Sequence, residues 1–231
     1  MTSSGTPPIR GRFITIDGPD GSGKTTQAER LVAHLERRGV ATLSTREPGG
    51  TWLGERLRAV LLARPLGTEP SDPLTDAFLF SAARRALVTG AIAPALALGT
   101  TVVCARFADS TLAYQGYGAG APLETLRILE AWATGGLEPD LTILLDVPAR
   151  IGLGRKGPDE WTRFESDHDL AFHERVRVGF LDLAARSPAR FVVVDATRAA
   201  DEVESAVRVA VARLIVAPPS EPKAHPVRTH P

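Results

Sequence analysis

The segment Gly18-Pro19-Asp20-Gly21-Ser22-Gly23-Lys24-Thr25 constrains this chain more than any other. It satisfies the spacing G-x-x-x-x-G-K-T. It also stands between an apolar, β-branched run, Phe13–Asp17, and a stretch of helical periodicity, Thr25–Arg38. Glycine tolerates positive φ and close backbone approach, so several N–H groups can converge on one anion. The helix that follows aims the positive end of its dipole at the same point. Lys24 is then placed to reach the β- and γ-phosphates and the Thr25 hydroxyl to meet a bound Mg²⁺, with Thr26 next in line as a further nucleotide contact. The chain is expected to bind the phosphates of a nucleoside triphosphate.

The rest of the chain reads as an alternation of short strands and longer helices. Strands are expected at Phe13–Asp17, Val40–Thr45, Thr101–Cys104, Leu141–Asp146 and Phe191–Val194. Helices are expected at Thr51–Ala63, Thr75–Leu98, Leu123–Ala133, Asp169–Ala185 and Ala200–Leu214, with Pro94 kinking the second of these or marking its last turn. Strands apolar throughout are buried on both faces, which argues for a parallel sheet with helices on both sides. Residues 1–10 and 217–231 read as unstructured tails around one domain, 11–216.

Composition removes several classes of function. Lys+Arg and Asp+Glu both number 27, so no global field draws the chain onto nucleic acid or an acidic membrane. Cys104 is the only cysteine, which excludes an intrachain disulfide and suits a reducing compartment. Met1–Arg10 has no apolar core of a signal peptide, and no run approaches a membrane span. A cytoplasmic protein is expected, with neither nucleic acid nor membrane as partner.

A phosphate loop does not name a reaction. Further segments do point to one: Thr45-Arg46-Glu47-Pro48-Gly49-Gly50-Thr51 after the second strand, Phe80-Ser81-Ala82-Ala83-Arg84 in the long helix, Asp109-Ser110-Thr111-Leu112-Ala113-Tyr114-Gln115-Gly116 after the third strand, and Leu137-Glu138-Pro139-Asp140-Leu141 before the fourth. With these the chain resembles bacterial thymidylate kinases from about Arg12 to Val216. The resemblance implies a P-loop NTPase three-layer α/β/α sandwich with a five-stranded parallel sheet and a short lid. It implies a homodimer that transfers phosphate from ATP-Mg to dTMP. It also implies residue roles. Phe80 stacks on thymine and Arg84, one helical turn on, bonds its O4. Thr111 lies near N3 with Gln115 its neighbour, and Tyr114 packs where a 2′-OH would sit. Asp20 contacts the 3′-OH and lies near the magnesium shell. Arg46 and Arg106 surround the acceptor phosphate, Arg106 also serving catalysis.

The segment from Arg155 to Glu165 resembles the family's lid. Position 21 is Gly, not Arg, so the catalytic cation is expected from the lid, with Arg155, Lys156 and Arg163 as candidates. Two departures stand out. Ala105 and Phe107 flank Arg106 where the family has an acid and a Tyr or His, and Thr162 replaces the lid's usual Asp. The missing strand-end acid puts metal affinity in question, with Asp17 or Asp20 available to compensate. Asp146 ends an apolar strand in the manner of a metal-binding acid, but the resemblance places that function elsewhere. The alternatives are a kinase for another nucleotide or nucleoside, and a P-loop NTPase that is not a kinase.

Overall fold

In the computed structural model, residues 10–63, 72–157, 159 and 161–216 are described. In chain order the elements are β1 (Phe13–Asp17), α1 (Lys24–Arg37), β2 (Thr42–Arg46), α2 (Trp52–Leu62), α3 (Pro73–Leu87), α4 (Ala93–Ala97), β3 (Thr101–Ala105), α5 (Ala108–Thr111), α6 (Leu123–Thr134), β4 (Leu141–Asp146), α7 (Ala149–Gly154), α8 (Arg163–Asp167), α9 (Leu170–Arg186), β5 (Phe191–Asp195) and α10 (Ala200–Val216). The expected tails lie outside the described residues, save Arg10, whose guanidinium pairs with Asp140 at 3.0 Å.

The five strands are all parallel, in the order β2-β3-β1-β4-β5. Successive side chains of a strand face opposite layers, and the core divides accordingly. Ile143 and Leu145 of β4 join Ile14, Ile16, Leu31 and Val207 under α1 and α10. Leu144, between them, packs on the other side with Phe172, Val176 and Phe180 of α9. Each fully buried aliphatic contributes about 1.5–3 kcal/mol. β2 and β5 are the edge strands; none of the residues of β2 is fully buried, and its run is the least apolar of the five.

The helix expected over 75–98 is not uniform. Ala93 N–H reaches back to Val88 O, making Val88–Ile92 a π-helical turn that leads into α4. Pro94 lacks an N–H and crowds the carbonyl four residues earlier in an α-helix; widening the turn before it relieves both. A second π-helical segment, Leu112–Gly118, continues α5 and carries Tyr114 and Gln115. It packs closely on α9: a Cβ at Gly179 would meet the Tyr117 ring at 2.5 Å. The lid holds regular structure. Thr162 and Glu165 form a reciprocal capping box, and α8 follows. Pro158 and Glu160 lie outside the described residues.

Candidate active site

The functional side chains converge where the strands end in sequence, the usual position of a site on an open parallel sheet. They line a cavity of about 660 Å³ that runs from the phosphate loop, Asp20 to Thr26, to Phe80, Arg84 and Gln115. The loop closes on itself. Lys24 Nζ donates to Gly18 O at 2.9 Å, Pro19 O at 2.6 Å and Ser22 Oγ at 3.3 Å. Burial and then the neighbouring Arg106 push the Lys24 pKa down to about 7. Arriving phosphate would supply the missing negative charge and restore the ammonium. Thr25 and Thr26 are exposed at the mouth of α1.

Arg106 follows β3 with φ 71, a left-handed conformation costly for a residue with a Cβ. That turn aims its guanidinium at the loop. Arg106 Nη2 donates to Asp20 Oδ1 at 2.6 Å and to Tyr114 Oη at 3.3 Å, while Tyr114 Oη donates to Asp20 Oδ2 at 2.8 Å. Burial opposes the Asp20 charge, but Arg106, Lys24 and the Tyr114 hydroxyl outweigh it and hold its pKa at about 2. A carboxylate within a phosphate loop is thus neutralised by a cation from another strand.

The far end of the cavity is built around Arg84, which is 1 % exposed. A guanidinium has five N–H donors, and four hydrogen bonds are made here: Nε to Glu47 Oε2 at 2.7 Å, Nη1 to Thr111 at 2.9 Å and to Glu130 at 2.5 Å, and Nη2 to Phe107 O at 3.2 Å, with Nη2 also ion-paired to Glu47 Oε2 at 2.6 Å. Two carboxylates thus share one cation. Burial, against the pull of Arg84, raises the Glu47 pKa to about 7. Gln115 and Tyr114 are buried in the cavity wall, and Phe80 is half-buried, its ring 5.9 Å from that of Phe164.

Some expected residues lie elsewhere. Arg46 is exposed, reaches Glu55 at 3.3 Å and does not line the cavity. Arg58 does; it donates to Pro48 O at 2.9 Å and was missed by sequence reading. The packing of α2 places it there: Arg58 falls on the helical face of Gly54 and Leu61, the buried residues of that helix. Of the lid cations, Arg155 donates to Gly21 O at 3.4 Å and Lys156 pairs with Glu165, both lining the cavity. Arg163 instead pairs with Asp76 at 2.7 Å. Asp146 is held by both arms of Arg177 at 2.7 and 2.9 Å.

A phosphate loop on a parallel sheet, opening through one cavity onto a pocket of aromatic, arginine and amide side chains, defines a P-loop nucleotide kinase. The profile described as thymidylate kinase matches residues 16–207. The chain belongs to the thymidylate kinase family. It is 50% identical over 202 residues to the thymidylate kinase of Deinococcus radiodurans, covering 87% of this chain and 97% of that one. It is 51% identical over 196 residues to that of Thermomicrobium roseum, covering 84% and 91%. The crystal structure of thymidylate kinase from Ehrlichia chaffeensis superposes with a TM-score of 0.70 at 34% identity, covering 87% of this chain and 99% of that one.

Proposed function

We propose that the chain transfers the γ-phosphoryl group of ATP to dTMP, giving ADP and dTDP for dTTP synthesis. One observation carries the reading: a single cavity joins the phosphate loop to the Phe80–Arg84–Gln115 pocket, with Asp20, Arg106 and Tyr114 at the junction. A dTMP phosphate oxygen attacks the γ-phosphorus, and the bond to the β–γ bridging oxygen breaks. Little covalent work falls to the protein; it aligns two anions and neutralises them. Gly18 to Thr26 hold the triphosphate, and Lys24, Arg106 and Arg155 face the transferring group. Phe80 offers a ring face to thymine. Arg84 reaches O4 by sharing a bond it now makes to Thr111 or Phe107 O, and Gln115 and Thr111 meet the base edge. Tyr114 fills the space a ribose 2′-OH would need. Arg58 joins Arg106 around the acceptor phosphate, with Arg46 at the rim.

The donor set beside the loop, the Thr25 hydroxyl and the Asp20 carboxylate, is oxygen only and suits Mg²⁺. No cluster of three His, Cys, Asp or Glu side chains able to hold a metal occurs among the described residues, so Thr25 and Asp20 would hold it jointly with nucleotide phosphates. Bound there, it neutralises the β- and γ-oxygens.

A homodimer fits the exposed Phe78 of α3 and Ile128 and Trp132 of α6, two helices packed together. Sedimentation tests it. Among the described residues no helix is long and apolar enough to cross a membrane, and a cytoplasmic setting is part of the proposal. The activity is tested by coupled ADP release with and without dTMP. Release should require dTMP, be slower with dUMP and fail with thymidine. Nucleotide turnover indifferent to dTMP would mean a P-loop NTPase of another kind.

A further inference from the structure

Arg163 is expected among the phosphate-facing cations, yet its side chain, 11% exposed, is committed to the opposite side of the lid. Its Nη2 lies 2.7 Å from Asp76 Oδ1, and its Nε donates to Leu61 O. Leu61 belongs to the last turn of α2, where helix carbonyls lack intrahelical partners; Asp76 lies in the first turn of α3. The guanidinium therefore bridges a helix C-terminus and an acid at the next helix N-terminus, both favourable to its charge. It also lies 4.6 Å from the ring centroid of Phe164, the next residue. Phe164 is 7% exposed, lines the cavity, and its ring stands 5.9 Å from Phe80 and 6.0 Å from Tyr114.

We propose that Arg163, clamped by Asp76 and the Leu61 carbonyl, is a latch that fixes α8 so that Phe164 completes the wall of the acceptor pocket. Arg163 and Asp76 are then positioning residues for dTMP, and the phosphate-facing cations of the lid are Arg155 and Lys156. Lys156 is tied to α8 through Glu165, which also accepts from Thr162 N at 2.7 Å. One latch thereby orders both the pocket wall and the phosphate side of the lid. The inference rests on the reading of the Phe80 pocket as the dTMP site.

The test uses Asp76→Asn, Arg163→Ala and the double variant, with dTMP and ATP kinetics and hydrogen exchange of residues 161–167. Each single variant should raise the dTMP KM about tenfold. Each should leave kcat at saturation within about threefold of the parent and speed exchange in α8. The double variant should be no worse than the worse single, because both remove one contact. A large kcat loss confined to Arg163→Ala, or an unchanged dTMP KM in Asp76→Asn, overturns the latch. Should Asp76→Asn fail to fold, Arg163→Gln carries the same KM, kcat and exchange readouts. The pocket reading fails separately, on an unchanged dTMP KM in Phe80→Ala.

Discussion

Asp20 Oδ1 and Arg106 Nη2 stand 2.6 Å apart, joining the phosphate loop after β1 to the strand end of β3. The pair resolves an oddity of the sequence, a carboxylate placed where phosphate must bind. Asp20 does not face the triphosphate uncompensated; it fixes an arginine whose left-handed backbone already aims it inward. The same guanidinium lies 5.0 Å over the Tyr114 ring, so charge, donor geometry and stacking all depend on its planar shape.

Arg106→Lys should therefore be far from conservative. A lysine keeps the charge but cannot serve Asp20, Tyr114 and an acceptor phosphate from one rigid fork. A fall in kcat/KM for dTMP of about 10²-fold is expected, by analogy with the loss of one preorganised transition-state donor. Steady-state kinetics on a variant with unchanged circular dichroism would check it. Activity within a few-fold of the parent would remove Arg106 from the transition state.

Asp17 gives a prediction in pH. Burial and then Asp109 raise its pKa from 3.8 to about 6, against the Ser110 hydroxyl bonded at 2.6 Å. A carboxyl with a raised folded-state pKa stabilises the fold below its unfolded pKa, and that contribution is lost as pH rises toward 6. Asp17→Asn keeps an acceptor for Ser110 and does not ionise. The parent should lose stability relative to Asp17→Asn between about pH 4 and 6, by on the order of 3 kcal/mol. Urea unfolding of both proteins across that range is the measurement. A pH-independent difference would show that Asp17 does not titrate there.

What the sequence made legible was whatever leaves a local signature. Four of the strands are mostly apolar runs, three of them buried, and the loop after β1 has a spacing set by phosphate geometry. The two π-helical turns leave no such mark, because an i→i+5 bond changes neither residue type nor apolar period over so short a stretch. Glu130 was invisible for another reason. It reaches Arg84 from α6, and nothing local distinguishes it from a solvated helix acid. Arg46 and Arg58 traded places for the same cause: the motif marks the first, while cavity position depends on how α2 packs. Arg163 looked like a phosphate cation because lid position and charge were all the sequence offered; its partner Asp76 lies 87 positions earlier, as the difference of 163 and 76.

Ala105 stands at the end of β3, where the family resemblance leads one to expect an acid, and its side chain belongs to the core layer of Ile16 and Ala28, beneath α1. An acid there would enter the sheet face that carries the Lys24–Thr25 end of α1. Ala105→Asp should lower the Mg²⁺ concentration for half-maximal rate several-fold, with some loss of stability, because a mostly buried carboxylate is costly without a partner. Rates measured across a Mg²⁺ titration at fixed ATP decide it. An unchanged midpoint would mean that Thr25, Asp20 and the nucleotide already satisfy the ion.

Gly21 leaves no room in the loop itself for the side chain of a cation. Its φ is +71, and a Cβ there would fall 1.8 Å from Gly152 O in α7. A Cβ on Gly152 would in turn meet Asp20 O at 2.2 Å. Loop and lid stem thus touch backbone to backbone, and no side chain fits at 21 until α7 moves. Arg155, at the end of α7, rides on that contact and reaches Gly21 O. Arg155→Ala should lower kcat by about 10²–10³-fold with little change in ATP affinity, as expected for a cation acting on charge that develops during transfer. Moving the arginine into the loop, as Gly21→Arg in the Arg155→Ala background, should fail to rescue and should lower Tm, since the new Cβ separates loop from stem. Rescue of kcat by that double variant would show that the Gly21–Gly152 contact is dispensable and that the loop can host the cation after all.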